Sequence, residues 1–307
     1  MWIKRVDNKL TLTRDSGLTI GAFDGVHLGH QALIRRMVTG AHRGGMQAVV
    51  LTFDPLPRRV LGRGENGLLS TLDERMALLE PLGVDGVVVL PFDRETAATP
   101  AADFVALLVT RLALRGLWVG PDFALGHQQE GDVPFLRTMG TQYGFALHVF
   151  EENVVWEGLP VRSSRIRRAV RAGDMRQANG CLGRPYRLAG VVVHGEQRGR
   201  RLGFPTANLA LPAERLLPAN GVYVCRAHLP SGSFAAITNV GTRPTFDHHP
   251  ADVETHLLDF SADIYGELLR VDFLHRLRAE RRFPSAAALV AQIRRDEIAA
   301  RAFLSAD

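Results

Sequence analysis

Two different spacings of hydrophobic and polar residues follow each other along the chain. In the first half, short apolar runs alternate with amphipathic stretches of helical length. The apolar runs are Gly17–Ala22, Gln47–Phe53, Gly86–Leu90, Gly116–Gly120 and Phe145–Phe150, and the amphipathic stretches are Leu28–Thr39, Asp73–Glu80, Ala101–Leu114 and Asp132–Met139. Buried strands that alternate with helices predict a parallel, doubly wound sheet. Ligands bind such sheets at the carboxyl ends of the strands.

The pattern changes after about residue 183, where the apolar runs become short and rich in β-branched residues. These runs are Gly190–Gly195, Gly221–Leu229, Phe234–Val240, Val253–Asp259 and Leu268–Leu274. Glycine, proline and asparagine turns separate them, which favours an antiparallel barrel or sandwich. The tail 285–303 returns to a helical pattern, with Ser285 as its N-cap. We place the boundary between Gly180 and Tyr186, which gives domains 1–182 and 183–307.

Composition supports two ordinary globular domains. The 307 residues are 46% hydrophobic and 22% charged, which is enough apolar material for two cores. The N-terminus lacks the apolar core of a signal peptide, and no run approaches the ~20 apolar residues of a membrane span. The single, distant cysteines Cys181 and Cys225 fit a reducing compartment. We expect a soluble cytoplasmic protein with no membrane partner.

The basic residues exclude several kinds of ATP site. Lys4 and Lys9 are the only lysines, so nearly all of the basic residues behind the net charge of +5 are arginines. A P-loop, a protein-kinase site and a pyridoxal-phosphate site each require a lysine that this chain lacks. A nucleic-acid-binding protein remains an alternative, but the arginine clusters are short and no stripe of stacking aromatics accompanies them. We therefore expect no nucleic-acid partner.

The sequence GAFDGVHLGH occupies residues 21–30, directly after a predicted strand and at the start of a predicted helix. Small residues permit a tight turn there, and the free N–H groups of a helix start attract an anion. His27 and His30 share one helical face and could stabilise charge on a phosphoanhydride as it breaks. The alternative reading is one capping histidine and one core histidine.

The sequence VRSSRIR, residues 161–167, leads into another predicted helix. Ser163 and Ser164 can cap that helix, and Arg165 and Arg167 offer bidentate contacts to phosphates. Such a basic helix start is often only a good cap. Combined with the histidine loop, it indicates the far wall of a triphosphate site.

The second half contains GRRLGFPTANL at residues 199–209. Thr206 and Asn208 alternate in an extended stretch, so both can face one ligand, and their oxygens suit the Mg²⁺ that accompanies nucleotide phosphates. Glu254 could accept a proton from an alcohol that attacks a phosphate. Taken alone, each of these residues is more simply a turn or surface residue.

These motifs together carry a family resemblance. GAFDGVHLGH resembles the HxGH signature of nucleotidyltransferases, and VRSSRIR, TFDPLP and GPDF resemble the other motifs of bacterial FAD synthetases. GFPTAN, NVGTRPTF, VETHLLDFSADIYG, GRPY and PANGVY closely resemble the riboflavin kinase module. The whole chain therefore resembles the bifunctional bacterial riboflavin kinase/FAD synthetases. Class I aminoacyl-tRNA synthetases share HxGH, but they also use a lysine-bearing loop.

The resemblance implies a Rossmann-like, parallel-sheet FMN adenylyltransferase domain, followed by a small antiparallel β-barrel kinase domain with a C-terminal helix. It implies phosphorylation of riboflavin to FMN and adenylylation of FMN to FAD, with ATP as co-substrate, Mg²⁺ as cofactor and pyrophosphate as a product. The implied catalytic residues are His27, His30 and Glu254. The implied ligand-binding residues are Gly21, Phe23, Asp24, Gly29, Asp122, Ser163, Ser164, Arg167, Gly203, Thr206, Asn208 and Arg243, and Thr206 and Asn208 are the implied Mg²⁺ ligands.

The first half departs from the family pattern at four positions. Ala22 replaces a frequent Asn, Leu56 a common His, Arg162 the first Ser of the SST triplet, and Gln129 a frequent Arg. These departures leave open an alternative, a flavin- or nucleotide-binding regulatory protein or a kinase with a decayed adenylyltransferase site. The sequence also leaves the oligomeric state open between a monomer and weak self-association.

Overall fold

A computed structural model describes residues 1–6, 10–62, 67–195, 199, 202–241 and 252–306. Its strands are β1 Trp2–Arg5, β2 Ser16–Ile20, β3 Gln47–Phe53, β4 Gly86–Leu90, β5 Leu114–Val119, β6 Ala146–Val149, β7 Val155–Trp156, β8 Leu159–Pro160, β9 Tyr186–Val193, β10 Ala207–Ala210, β11 Gly221–Leu229, β12 Gly232–Gly241, β13 Asp252–Leu257 and β14 Leu268–Arg278. Its helices are α1 Leu28–Arg43, α2 Pro57–Val60, α3 Leu72–Leu79, α4 Arg94–Ala97, α5 Ala101–Leu112, α6 Val133–Tyr143, α7 Ser163–Ala172, α8 Met175–Leu182 and α9 Ala286–Ala306.

The chain divides into two compact units. The N-terminal unit comprises residues 1–66 and 70–163, and the C-terminal unit comprises residues 67–69 and 164–307. The short segment Gly67–Leu69 belongs to the C-terminal unit, where Leu68 pairs with Arg215. Because the C-terminal unit begins at residue 164, it includes α8 and all of α7 except Ser163.

The N-terminal unit is built on a six-stranded parallel sheet of order β1-β4-β3-β2-β5-β6. Strands β2 and β4 are buried along their whole length, as expected for a sheet covered by helices on both faces. Helices α1 and α3 pack on one face, and α5 and α6 pack on the other. The order of the strands reverses between β2 and β5, and the crevice at such a switch point is where ligands bind.

The C-terminal unit is a closed antiparallel barrel of six strands in the order β10-β13-β12-β11-β14-β9. Closure pairs every strand on both sides and leaves no open edge. The last helix, α9, contacts β12 and β14 and starts at the predicted cap, because Ser285 Oγ accepts from the backbone N of Ala288 at 3.2 Å.

The structure confirms the predicted fold class, a parallel α/β domain followed by an antiparallel barrel and a helix. The prediction missed strands β1, β7 and β8 and helices α2, α4 and α8. Helix α1 runs beyond the predicted end at Thr39 to Arg43 and stops where Gly45 adopts a φ of +69°. Strand β13 ends at Leu257, short of the predicted Asp259, which adopts a φ of +56° in the following turn. No helix in the described ranges is long and apolar enough to cross a membrane.

Candidate active sites

The loop between β2 and α1 has an unusual backbone. Phe23 and Val26 adopt left-handed φ values of +45° and +38°, on either side of Gly25 at +78°. Phe23 is buried, and its ring lies so close to Gly21 that a Cβ there would come within 3.0 Å of the ring. Gly21 therefore supplies the space that this ring needs. Non-glycine residues with left-handed φ values are strained, and they cluster at functional sites. This backbone conformation indicates that residues 21–27 form a functional loop.

His27 and His30 lie against each other at the start of α1. Their rings are stacked with centroids 3.6 Å apart, and His27 Nδ1 caps the helix by accepting from the backbone N of His30 at 3.3 Å. The edge of the Phe23 ring packs on His30. A Cβ atom at Gly29 would lie 3.2 Å from the His27 ring, so the absence of a side chain at Gly29 leaves room for that ring.

His30 carries a buried polar atom that is available to a ligand. Its Nδ1 has no hydrogen-bond partner among the described residues. Burial lowers the pKa of His30 well below its ordinary value, and the neighbouring His27 lowers that pKa further. Burial therefore favours the neutral form of the His30 ring, and a bound ligand would satisfy its Nδ1. Free backbone N–H groups at the start of α1 suit an anionic ligand at the same place.

Asp24 is the centre of a buried network beneath this loop. Its carboxylate accepts from Arg58 Nη2 at 2.8 Å and from the backbone N and Oγ of Ser70 at 2.9 and 3.2 Å. The Ser70 hydroxyl in turn accepts from the backbone N of Gly25 at 2.8 Å. The carboxylate side chain is only 2% exposed. In this structure the buried Asp24 carboxylate holds the loop in its conformation through Arg58 and Ser70.

Arg75 joins the ends of two neighbouring strands. Its Nη1 donates to the carbonyl oxygens of Ala22 and Phe53 and to the Thr52 hydroxyl, at 2.9, 3.2 and 3.0 Å. The residue is 1% exposed, and burial lowers the pKa of its guanidinium, which Asp24 and Asp54 oppose. Arg75 thus helps to hold the carboxyl ends of β2 and β3 together, as does the Thr52 hydroxyl, which donates to the Ala22 carbonyl oxygen at 3.3 Å.

An aromatic cavity of about 540 Å³ opens beside these strand ends. Its lining comes from the ends of β2 and β3, from the loops after β4 and β5 and from helices α2, α4 and α5, and it includes Gly21, Ala22, Phe53, Phe92, Phe104, Phe123, Leu125, Gly126, Gln128 and Gln129. Gln128 and Gln129 both adopt left-handed φ values, +51° and +64°. A mainly apolar cleft with a few polar groups at a topological switch point suits a flat heteroaromatic ligand.

The other residues of the predicted adenylyltransferase site lie on α7 and on the loop after β5. Ser163 begins α7, Ser164 is exposed, and Arg167 is buried with its Nε donating to the Gly67 carbonyl at 3.3 Å. Asp122 is 89% exposed, and Arg162 Nη2 lies 4.0 Å from its carboxylate. Leu56, at the position of a common histidine, is 2% exposed and contributes to packing.

The barrel brings Thr206, Asn208 and Glu254 together. Strands β10 and β13 pair with Asn208 opposite Glu254, and the Thr206 hydroxyl donates to Glu254 Oε2 at 3.1 Å. Asn208 is buried, and its Oδ1 has no hydrogen-bond partner within the described part of the chain. A Cβ on Gly195 would lie 2.4 Å from the Asn208 amide, so glycine is required there. Gly203 adopts a φ of +88°, and Arg243 lies outside the described residues.

These oxygens fit a bound Mg²⁺. The Thr206 hydroxyl donates its proton in the hydrogen bond to Glu254. The lone pairs of the hydroxyl oxygen therefore remain available to a cation. The orphaned amide oxygen of Asn208 is a second hard ligand at the same place. A buried acceptor without a donor is costly unless a ligand satisfies it, which favours a cation here.

A second cavity, of about 440 Å³, begins at this group of residues. We call it the barrel cavity, and its lining is Val192, Pro205, Thr206, Ala207, Asn208, Thr255, Leu257, Phe260, Ser261, Ala262, Asp263, Ile264 and Tyr265. Tyr265 stacks on His194 with ring centroids 3.8 Å apart. The lining of the barrel cavity combines polar side chains, such as Thr206, Asn208 and Asp263, with apolar and aromatic ones, such as Phe260 and Tyr265.

Sequence reasoning missed Arg58, Arg75 and most of the two cavity linings. An arginine on an amphipathic helix is typical of a solvated face, and nothing in the pattern indicated that Arg75 is buried. Residues 260–265 did carry a signal, because FSADIYG follows Glu254 closely and belongs to a quoted motif. His256 carried one too, since it lies two residues from Glu254 on the same side of a strand.

Comparison with known proteins shows the family to which the chain belongs. A family model described as FAD synthetase matches residues 10–165, and one described as riboflavin kinase matches residues 182–304. The protein named bifunctional riboflavin kinase/FMN adenylyltransferase from Haemophilus influenzae is 36% identical over 308 residues, with 99% of each chain covered. The protein of the same name from Pseudomonas fluorescens is 40% identical over 286 residues, which cover 92% of this chain and 91% of the relative.

A solved structure has the same fold over nearly the whole length. It is a crystal structure from Streptococcus pneumoniae described as a macrolide-efflux protein, with a TM-score of 0.88 and 30% sequence identity. The match covers 98% of this chain and 99% of that one. Similarity over almost every residue of both chains means that the two-domain arrangement of elements is shared, and not one domain alone.

Proposed function

Because the chain belongs to the family of bifunctional riboflavin kinase/FMN adenylyltransferases, we propose that its two reactions use two separate sets of residues. The protein phosphorylates riboflavin to FMN with ATP and adenylylates FMN to FAD. We assign the second reaction to residues 1–182 and the first to residues 183–307. One observation supports this division: each part has a buried polar atom without a described partner, His30 Nδ1 and Asn208 Oδ1.

In the kinase reaction, the 5′-hydroxyl of riboflavin attacks the γ-phosphorus of ATP, and the bond from that phosphorus to the β-γ bridging oxygen breaks. Glu254 orients the hydroxyl and accepts its proton. Thr206 and Asn208 would hold Mg²⁺, which offsets the charge of the phosphate oxygens. The remaining catalysis is positioning by the barrel, and no lysine is required. Gly203 and Arg243 are proposed ligand contacts on the strength of the motifs alone.

The barrel cavity is the proposed binding place of ATP in this reaction. Its lining contains Thr206 and Asn208, the proposed ligands of the phosphate-bound Mg²⁺. The same lining includes Phe260, Ile264 and Tyr265, which offer apolar and aromatic surface for a base. One cavity therefore supplies both kinds of contact that a nucleotide needs.

In the adenylyltransferase reaction, an oxygen of the FMN phosphate attacks the α-phosphorus of ATP, and the bond to the leaving pyrophosphate breaks. His27 and His30 lie at the start of α1, where they and the helix N–H groups can stabilise charge on the phosphate oxygens. Ser163, Ser164 and Arg167 are the proposed contacts of the β- and γ-phosphates, and Asp122 is a proposed nucleotide contact. Asp24 acts by holding the loop through Arg58 and Ser70.

The aromatic cavity is the proposed binding place of the isoalloxazine ring of FMN. It begins at Gly21 and Ala22, next to the histidine loop, and four phenylalanines line it. Aromatic side chains offer stacking and edge contacts to a flat ring. Both reactions consume ATP, and we place the enzyme in the cytoplasm, where ATP is supplied.

Two variants test the separation of the sites. His30→Ala should abolish formation of FAD from FMN and ATP while formation of FMN from riboflavin continues. Glu254→Gln should abolish FMN formation while FAD formation from added FMN continues. Chromatography of riboflavin, FMN and FAD over time measures both rates in one incubation. Loss of both activities in either variant, with the fold intact by circular dichroism, would show that the sites are not separate.

A further inference from the structure

His256 lies on the same side of β13 as Glu254. Along this strand Val253, Thr255 and Leu257 are buried, whereas Glu254 and His256 are half-buried on the opposite side. Successive side chains of a strand point to opposite faces, so residues two apart share a face. The proposed catalytic base and His256 therefore face the same surroundings, the segment that contains Pro205 and Thr206.

The His256 ring joins two other parts of the C-terminal unit. Its Nδ1 lies 2.7 Å from the Pro205 carbonyl oxygen, and its Nε2 lies 3.3 Å from Glu297 Oε1 on α9. The ring also contacts Phe204 edge-on, with centroids 5.8 Å apart. A carbonyl oxygen only accepts, so Nδ1 carries a proton and donates a hydrogen bond to Pro205. A carboxylate oxygen also only accepts, so the contact with Glu297 is a hydrogen bond only in the ring form that carries a proton on Nε2 as well. The side chain is 14% exposed, so water competes little for these bonds.

These contacts close a small ring of interactions around Thr206. The Pro205 carbonyl belongs to the peptide group that precedes Thr206, and the Thr206 hydroxyl donates to Glu254 at 3.1 Å. Glu254 and His256 are in turn fixed to each other by β13. Rotation of the Pro205–Thr206 peptide would break the His256 bond and move the Thr206 oxygen. The contact to Pro205 thus determines where Thr206 lies.

We propose that His256 is a positioning residue for the kinase reaction, and that Glu297 on α9 orients its ring. His256 holds the Pro205 carbonyl, and through it the Thr206 hydroxyl, in the place where that oxygen meets Glu254 and the phosphate-bound Mg²⁺. The C-terminal helix α9 thereby contributes Glu297 to the positioning of the kinase residues. This inference rests on the proposed roles of Thr206 and Glu254.

Substitutions that keep one contact and lose the other test the inference. His256→Asn retains an N–H near the position of Nδ1, whereas His256→Gln places its amide near the position of Nε2. We expect kcat for riboflavin phosphorylation to fall about 10- to 100-fold in His256→Ala and His256→Gln, and less than about 5-fold in His256→Asn. The Mg²⁺ concentration for half-maximal rate should rise in the same order, with the KM for riboflavin within about 3-fold of the parent. Glu297→Ala should change the same quantities in the same direction, by less.

Three controls separate the outcomes. FAD formation from added FMN should stay at the parent rate in every His256 variant, and the circular dichroism spectrum should match that of the parent, which shows that the barrel has folded as well. His275→Ala removes a ring that stacks on Phe303 of α9 but does not contact Pro205, so it should leave kcat within about 2-fold. Thr206→Ala and Glu254→Gln report on the proposed site itself, and normal phosphorylation in both would overturn that site.

If Thr206→Ala and Glu254→Gln lose activity while His256→Gln stays normal, the positioning role alone is wrong. Equal losses in His256→Asn and His256→Gln would also overturn it, because the role depends on the bond to Pro205 and not on packing of the ring. If His256→Ala does not fold, the comparison of His256→Asn with His256→Gln still decides.

Discussion

At the scale of single residues, burial sets the chemistry of His30. Its ring lies against His27 and Phe23, with Nδ1 buried and unsatisfied by the described residues. A neutral imidazole at a helix start can donate its one N–H to a phosphate oxygen, which only accepts. The cost is an unsatisfied polar atom in the free enzyme, which a bound nucleotide removes.

The lowered pKa of His30 makes stability depend on pH. The unfolded chain binds a proton at His30 below about pH 6.5, and the folded chain does not until a lower pH. Above the pKa of His30 in the unfolded chain, His30 is neutral in both states and does not lower the free energy of unfolding. As pH falls below that pKa, the free energy of unfolding decreases. We expect the thermal midpoint of the parent to fall more steeply than that of His30→Gln between about pH 7.5 and 5.5. His127→Gln, at an exposed histidine, should follow the parent, and equal slopes for parent and His30→Gln would contradict the expectation.

Asp24 provides a second test at this scale. Asp24→Asn keeps the shape of the side chain but leaves the Arg58 guanidinium without its buried counter-ion. We expect the free energy of unfolding of the N-terminal unit to fall by about 2–3 kcal/mol. All three tryptophans, Trp2, Trp118 and Trp156, lie in that unit, so tryptophan fluorescence in a denaturant titration reports on it.

The matched control for Asp24 is Asp15→Asn, whose partner Arg115 lies 3.2 Å away in an exposed pair. Exposed ion pairs contribute little, so that variant should remain within about 0.5 kcal/mol of the parent. An Asp24→Asn variant with parental stability and no FAD synthesis would indicate a direct ligand contact instead of an architectural role.

At the scale of elements, the loop after β5 depends on how closely it packs on α5. Gly126 adopts a φ of +76° and a ψ of −178°, and a Cβ there would lie 2.5 Å from the Ala101 Cα. The loop is held further by the His127 N–H, which donates to the Thr99 carbonyl, and by Glu130, which accepts from the Ala101 N–H at 2.7 Å. Glycine is thus required for the loop to form one wall of the aromatic cavity.

Gly126→Ala should therefore raise the KM for FMN in FAD synthesis about 10-fold or more, because the backbone of α5 cannot yield as a side chain can. The control is Gly144→Ala, which also places a side chain at a positive φ, +74°, but with nothing within 4 Å and at a ψ of +36°, where the backbone strain is smaller than at Gly126. Steady-state kinetics with added FMN measures both variants. Similar KM values for Gly126→Ala and Gly144→Ala would show that the close packing of the loop does not affect the cavity.

At the scale of the whole molecule, one chain catalyses two consecutive reactions. FMN is the product of one and the substrate of the other, and the proposed sites share no residue. FMN is a charged, soluble molecule, so one chain can supply it to another through solvent. We expect an equimolar mixture of His30→Ala and Glu254→Gln to convert riboflavin and ATP to FAD, although neither variant does so alone. Chromatography of the mixture checks this, and accumulation of FMN without FAD would mean that FMN must pass within one chain.

Sequence alone determined the two fold classes and the motifs, because alternation of buried strands and helices and the spacing of turn residues are local properties. It also determined which ATP sites are impossible, since a missing lysine needs no structure. It did not indicate the burial of Arg75 and Asp24, the assignment of α7 to the barrel unit or the bond from His256 to Pro205. These depend on which distant segments meet, as when Pro205, His256 and Glu297 come together from a loop, a strand and the last helix. Tertiary packing decides such contacts, because only the folded chain excludes water from polar groups and fixes their partners.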